Sequence, residues 1–138
     1  MNEEDKTCPH CGQRIQVYRR SITPAMFQSL VRLAYIVARA RTEPPHDDVL
    51  ITPTDVWVHA RAFAAVRDGQ QDRDYGKLRF WGLIAPCAEK TGFWGLTSLG
   101  ATFLEGRTRI PRNVFLYNNQ LQRVSPETVT VTEFRGEP

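Results

Sequence analysis

The 138-residue chain is predicted to fold as an α+β protein. Apolar residues recur at helical spacing between residues 24 and 81, then alternate with polar ones in short runs from residue 83 onward. The residues between those runs suit tight hairpins. With 41% hydrophobic and 10% aromatic residues, a chain of this length buries an interior without disulfides.

The elements follow in order. Ile15 and Val17 alternate with polar neighbours in a short strand. Thr23 supplies a helix N-cap with Pro24 in the first turn. Phe27, Leu30, Val31, Ala34 and Ala38 then form an apolar stripe running to about Arg41, while Gln28, Arg32, Tyr35 and Arg39 take another, partly basic side. Glu43-Pro44-Pro45-His46-Asp47-Asp48 is a loop. A second helix is expected from Thr52, which stands three residues before Asp55 as in a capping box. Val56, Ala60, Phe63 and Ala64 face inward from it, and Asp68-Gly69 ends it. A third, short helix covers 72–82, with Tyr75, Leu78 and Trp81 on one face. Two helices joined by a short glycine-containing turn carry the helix-turn-helix signature.

Residues 83–88 and 93–97 pair as a hairpin around Glu89-Lys90-Thr91-Gly92. Thr97 or Ser98 caps a short helix through Phe103-Leu104 that ends at Gly106. Asn118-Asn119 joins a second hairpin of 113–117 with 120–124, and Val129 and Val131 alternate with threonines in a last strand.

Gly82-Leu83-Ile84 and Leu96-Thr97-Ser98-Leu99-Gly100 resemble the steps by which a winged-helix domain enters its wing and returns to the next helix. The likeness spans residues 24–106. With Cys8-Pro9-His10-Cys11-Gly12 ahead of it, the chain is also similar to small phage and prophage proteins that place such a knuckle before such a core. The resemblance implies a zinc-knuckle segment at 1–22, a winged-helix domain at 23–106 and a C-terminal β extension at 107–138. It places the third helix in a DNA major groove, where Arg73, Lys77 and Arg79 meet phosphates or guanine edges. Lys90, at the hairpin tip, reaches the backbone or the minor groove. Arg32, Arg39 and the pair Arg19-Arg20 add phosphate contacts elsewhere. Asp72 and Asp74 repel phosphate but suit the cap and first turn of the third helix.

Cys8 and Cys11 form a turn of the zinc-ribbon type: two thiolates three residues apart grip one tetrahedral ion, and Gly12 lets the backbone turn tightly. The strand-to-helix context of a redox pair is absent. A structural zinc needs four ligands, and His10 is poorly placed inside the knuckle. The remaining candidates are His46, His59, Cys87 or a second knuckle from a homodimer partner. Each has a structural alternative: Cys87 as a small buried hydrophobe, His59 as a helix-boundary residue, His46 as part of a solvated loop.

Net charge is only +3, but it is polarised. Residues 14–41 carry six arginines and no acid, residues 42–76 carry seven acids against three arginines, and residues 77–135 carry eight basic against four acidic residues. Such a distribution attracts DNA or an acidic protein partner. No apolar run approaches the roughly 18–20 residues of a membrane span, and the acidic first residues are unlike a secretory signal, so a cytoplasmic location is expected. No phosphate-binding glycine loop, histidine metal motif or nucleophile elbow is present, and the reading is non-enzymatic. Taken with the resemblance, this implies a phage-encoded DNA-binding regulator. The alternative is a protein-interaction module, such as an inhibitor of a host enzyme or of a defence (anti-CRISPR-like) complex.

Overall fold

Antiparallel pairing organises the chain in the computed structural model, which describes residues 5–7, 14–67 and 69–135. Strands β1 (Asp5–Thr7) and β2 (Arg14–Gln16) pair with Thr7 opposite Arg14. Strand β3 (Tyr18–Ser21) leads into helix α1 (Pro24–Arg39). After a loop come β4 (Val49–Ile51), β5 (Val56–His59) and the single turn α2 (Ala60–Phe63). The small hairpin of β6 (Val66–Arg67) and β7 (Gln70–Gln71) precedes a 3-10 helix, Tyr75–Trp81. The chain continues with β8 (Ile84–Pro86), β9 (Phe93–Leu96), α3 (Ser98–Leu104) and β10 (Ile110–Pro111). It closes with β11 (Asn113–Tyr117), β12 (Gln120–Val124), β13 (Thr128–Val129) and the short helix α4 (Thr132–Arg135). The larger sheets have the orders β4-β5-β9-β8 and β12-β11-β3; β10 pairs with β13 and β6 with β7. The fold is α+β with several antiparallel sheets, and among the described residues no helix is long and apolar enough to cross a membrane.

Thr23 caps α1 as expected, its hydroxyl accepting from the Met26 amide at 3.1 Å, with Pro24 in the first turn. The inward stripe is rotated from the one expected. Met26, Phe27, Leu30 and Leu33 are buried, whereas Val31 and Ala38 face solvent. Spacing permits either stripe, and the larger apolar side chains lie on the one that is buried. The α1 residues meet Val58, Phe63, Leu78, Trp81, Leu83 and Phe103 in the core, together with Ile110, Val114, Leu116, Val129 and Val131 from the C-terminal strands. Burying each such side chain contributes about 1.5–3 kcal/mol.

The winged-helix expectation is overturned between residues 49 and 82. No helix starts at Thr52. The Thr52 amide donates to the Asp55 carbonyl at 2.9 Å, and the Asp55 amide donates to the Thr52 hydroxyl at 2.9 Å, closing a hairpin turn between β4 and β5. The capping-box spacing thus serves a turn, because the β-branched and aromatic run Val56-Trp57-Val58 that follows favours a strand. Arg41, just past α1, donates to the Thr52 carbonyl at 2.8 Å and ties the turn to the helix. Helix survives only at Ala60–Phe63, capped by the His59 imidazole, which accepts from the Arg61 amide at 3.1 Å. The expected connecting turn is the β6–β7 hairpin. The expected third helix is a 3-10 helix, whose three residues per turn align Tyr75, Leu78 and Trp81. The hairpin read as a wing is real, but β9 also pairs with β5, so it lies inside a four-stranded sheet and does not project. Trp57 lies across the sheet at Gly95, where a Cβ would sit 2.9 Å from its ring. The likeness to phage and prophage proteins rested on the winged-helix core and falls with it.

The other expected elements are present. Thr97 caps α3, Gly106 ends it at φ +77°, and Asn118 and Asn119 turn the second hairpin at φ 50° and 60°. The last strand is shorter than expected, because Val131 already belongs to the turn that starts α4.

Side-chain hydrogen bonds of Ser29 and Trp81 fix the 3-10 helix and the segment that leads into it. The buried Ser29 hydroxyl accepts from the Ala65 amide at 2.8 Å and lies 3.0 Å from the Ala25 carbonyl and 3.3 Å from Asp72 Oδ2. Trp81 Nε1 donates to the Pro111 carbonyl at 2.9 Å, joining the 3-10 helix to the C-terminal strands. Replacing Ser29 with Ala strands the Ala65 amide without a partner, and urea denaturation is expected to show a loss of about 1–3 kcal/mol.

Candidate nucleic-acid interface

Strand β3 is exposed along Tyr18–Ser21 and, among the described residues, pairs at one edge, with β11. Alternation along it sends Arg19 and Arg20 to opposite faces. Because β3 runs into α1 through Ser21 and Thr23, the two arginines stand beside the helix N-terminus, where the backbone carries partial positive charge. Packing of the 3-10 helix against α1 brings Asp74 and Lys77 to the same place. The result is an open groove of about 320 Å³ lined by Arg19, Arg20, Ser21, Thr23, Met26, Asp74 and Lys77. Lys77 Nζ lies 3.1 Å from Asp74 Oδ1. Lys77 is 28% exposed and Asp74 54%, so this pair is wet and contributes little to stability.

Arg73 lines a neighbouring open groove of about 510 Å³ with Gln70, Gln71, Asp72 and Tyr75. Arg79 is spent on the fold: its guanidinium donates to the Gly76 carbonyl at 3.0 Å and lies 4.5 Å from the Phe80 ring. Lys90 lies 4.8 Å over the Phe93 ring on the β8–β9 hairpin and lines neither groove. Of the four residues expected to read DNA, only Lys77 joins a basic cluster, and the arginines beside it are the pair expected to act elsewhere. Every residue of the 3-10 helix is at least half-buried, and Leu78 and Trp81 are buried in the core. Asp72 does not cap this helix. It accepts from the Asp74 amide at 3.0 Å and reaches back to Ser29. Arg32 and Arg39 sit on the outer face of α1, where Arg39 pairs with Glu43 at 3.2 Å and lies 5.0 Å from the Tyr35 ring.

Cys8 and Cys11 lie outside the described residues. The other ligand candidates are separately engaged. His46 Nδ1 accepts from the Asp48 amide at 3.0 Å, His59 Nδ1 caps α2, and Cys87 is buried. Among the described residues no three His, Cys, Asp or Glu side chains come together in a way that suits a metal.

Arg123 and Phe115 were not singled out in the sequence. A plain two-residue hairpin through Asn118-Asn119 would set Gln122 opposite Phe115. A register shift after Leu116↔Leu121 instead pairs Phe115 with Arg123, and the guanidinium lies 3.7 Å from the ring centroid. One slipped residue moves a side chain to the other face of the sheet, so the hairpin motif alone gives no signal for this contact.

Neither protein-family models, curated proteins nor solved structures gave a match to this chain.

Asp74 competes with any anion for Lys77. Asp74→Asn is expected to tighten binding of a phosphate-bearing ligand by up to about fivefold in a fluorescence-anisotropy titration. The double reversal Arg20→Glu with Lys77→Glu is expected to weaken it by more than about tenfold at low salt.

Proposed function

We propose that this protein binds nucleic acid without acting on it chemically, seating backbone phosphates along the groove of Arg19, Arg20 and Lys77. The observation that carries the reading is that Lys77, distant in the chain from Arg19 and Arg20, lines one groove with them beside the N-terminus of α1. Arg19 and Arg20 are exposed and Lys77 partly so, and cations lining one groove do not stabilise the fold. A polyanion meets these cations and releases its counterions. DNA is the first ligand to test. Anisotropy on a random duplex across a salt series is expected to give a plot of log K against log salt with a slope of about −2 to −3, as for three phosphate contacts. A flat salt response, or no binding at low salt, would sink this reading.

The outer face of α1 favours a second reading, as a protein-interaction module. Tyr35 is 61% exposed and Val31 42%, one turn apart beside Arg32 and Arg39. This apolar patch with a basic rim suits an acidic protein partner.

Cys8 and Cys11 are proposed to hold a structural zinc. The pairing of Thr7 with Arg14 sets the two ends of the segment that contains them on adjacent strands. With His46, His59 and Cys87 engaged elsewhere, the remaining two ligands come from the knuckle of a second copy. Elemental analysis should then find one zinc per two chains, and a chelator should halve the mass measured by light scattering. Zinc-free protein, or a monomer that retains zinc, would refute this arrangement.

A further inference from the structure

At one end of the four-stranded sheet, β5 and β9 stop pairing before either strand ends. They pair at Val58↔Trp94 and His59↔Phe93, although β5 begins at Val56 and β9 runs to Leu96. Continued by one residue, the register sets Trp57 opposite Gly95, which itself pairs with Ala85 on β8. The row across three strands therefore holds one large ring, no side chain and a single methyl group. The ring of Trp57, half-buried, lies against Gly95, where a Cβ would sit 2.9 Å from it. Beside the ring, β9 and β8 contribute almost no side-chain volume, and an open cavity of about 470 Å³ remains. Its walls also include Arg41 from just past α1, Asp55 from the β4–β5 turn and Ser98 from the start of α3. Sites for small molecules have volumes of about 300–1,000 Å³.

Arg41 brings to this cavity a charge that the fold does not use up. Its Nη2 donates to the carbonyls of Thr52 at 2.8 Å and Asp55 at 3.4 Å, which fixes the guanidinium in place. Anchoring the turn takes that one nitrogen, and the donors of Nε and Nη1 remain. Among the described residues no carboxylate forms an ion pair with Arg41. A planar fork of this kind matches a carboxylate. Asp55 sets a limit on the charge admitted: its Oδ2 accepts from the Thr54 hydroxyl at 2.9 Å, and the carboxylate repels a dianion more than a monoanion. The ring of Trp57 gives a second ring an apolar partner. We propose that this cavity binds a small aromatic monocarboxylate, with its carboxylate on Arg41 and its ring against Trp57. The site shares no residue with the groove of Arg19, Arg20 and Lys77, so the two readings stand or fall separately.

The test is an NMR titration of the full chain with 3-phenylpropionate, 3-phenylpropanol and phenyl phosphate, following the indole N–H of Trp57. The alcohol keeps the ring and loses the charge, whereas phenyl phosphate keeps the ring and adds a second charge. The acid is expected to shift the Trp57 resonance with a Kd below about 1 mM. It should bind about tenfold or more tightly than the alcohol, as a charge-assisted hydrogen bond implies, and more tightly than phenyl phosphate. Arg41→Gln should bring acid and alcohol to within about twofold of each other. Because Arg41 also anchors a turn, a second variant leaves every polar group in place. Ala85→Leu, checked by its melting curve, fills the cavity and should weaken the acid by about tenfold or more. No shift of Trp57 at about 10 mM acid, equal wild-type affinity for acid and alcohol, tighter binding of phenyl phosphate, or unchanged affinity in folded Ala85→Leu would each overturn the inference.

Discussion

The Ser29 hydroxyl is fully buried on the inward side of α1 and takes the amide of Ala65. Ala65 lies between the end of α2 and the start of β6, where no regular ladder satisfies its backbone. Its carbonyl is taken in turn by the Asp72 amide, across the base of the β6–β7 hairpin. Both polar groups of one interior residue are thus used, one by the helix and one by the returning strand. A buried amide without a partner is costly, so this arrangement permits little sliding of residues 65–72 along α1. The position of Asp72 sets where the 3-10 helix begins, and Asp72 places the next amides through its contact with Asp74. From there Leu78 and Trp81 fall into the core, and Trp81 holds the C-terminal strands through Pro111.

That chain of constraints decides the electrostatics of the surface. Lys77 is carried to β3 by its helix, and the arginines of β3 reach the same groove because the strand ends where α1 begins. Elsewhere several cations are answered by a carboxylate: Arg61 by Asp48 at 2.6 Å, Arg107 by Glu105 at 3.0 Å, Arg112 by Glu127 at 3.6 Å. Among the described residues that line the groove, Asp74 is the one carboxylate beside three cations. An excess of one sign concentrated in a concave place focuses the field on an approaching anion more strongly than the modest net charge suggests.

Local chemistry was legible wherever the decision is local. Thr23-Pro24, Thr97, Gly106 and Asn118-Asn119 are a cap, a cap, a stop and a turn, and each acts so because its hydrogen bond or backbone preference involves only a few neighbouring residues. Residues 52–64 were misleading because Val56, Ala60, Phe63 and Ala64 fit a helical stripe while Val56 and Val58 fit a strand. The tie was broken by β9, which offers β5 an edge to pair with, and by Arg41, which anchors the hairpin turn.

The sequence by itself determined the α+β class, the cap and extent of α1, both hairpins and the polarised charge, all of which depend on contacts close along the chain. Tertiary structure decided which face of α1 is inward, that the middle of the chain is strand and 3-10 helix, and which cations meet. Those outcomes depend on pairings between residues tens of positions apart, such as Ser29 with Ala65 and Trp81 with Pro111. The meeting of Arg123 with Phe115 turned on one extra residue in β12. A strand reverses its faces with each residue of slip, so this contact followed from the register the whole sheet adopted and not from the composition of the hairpin.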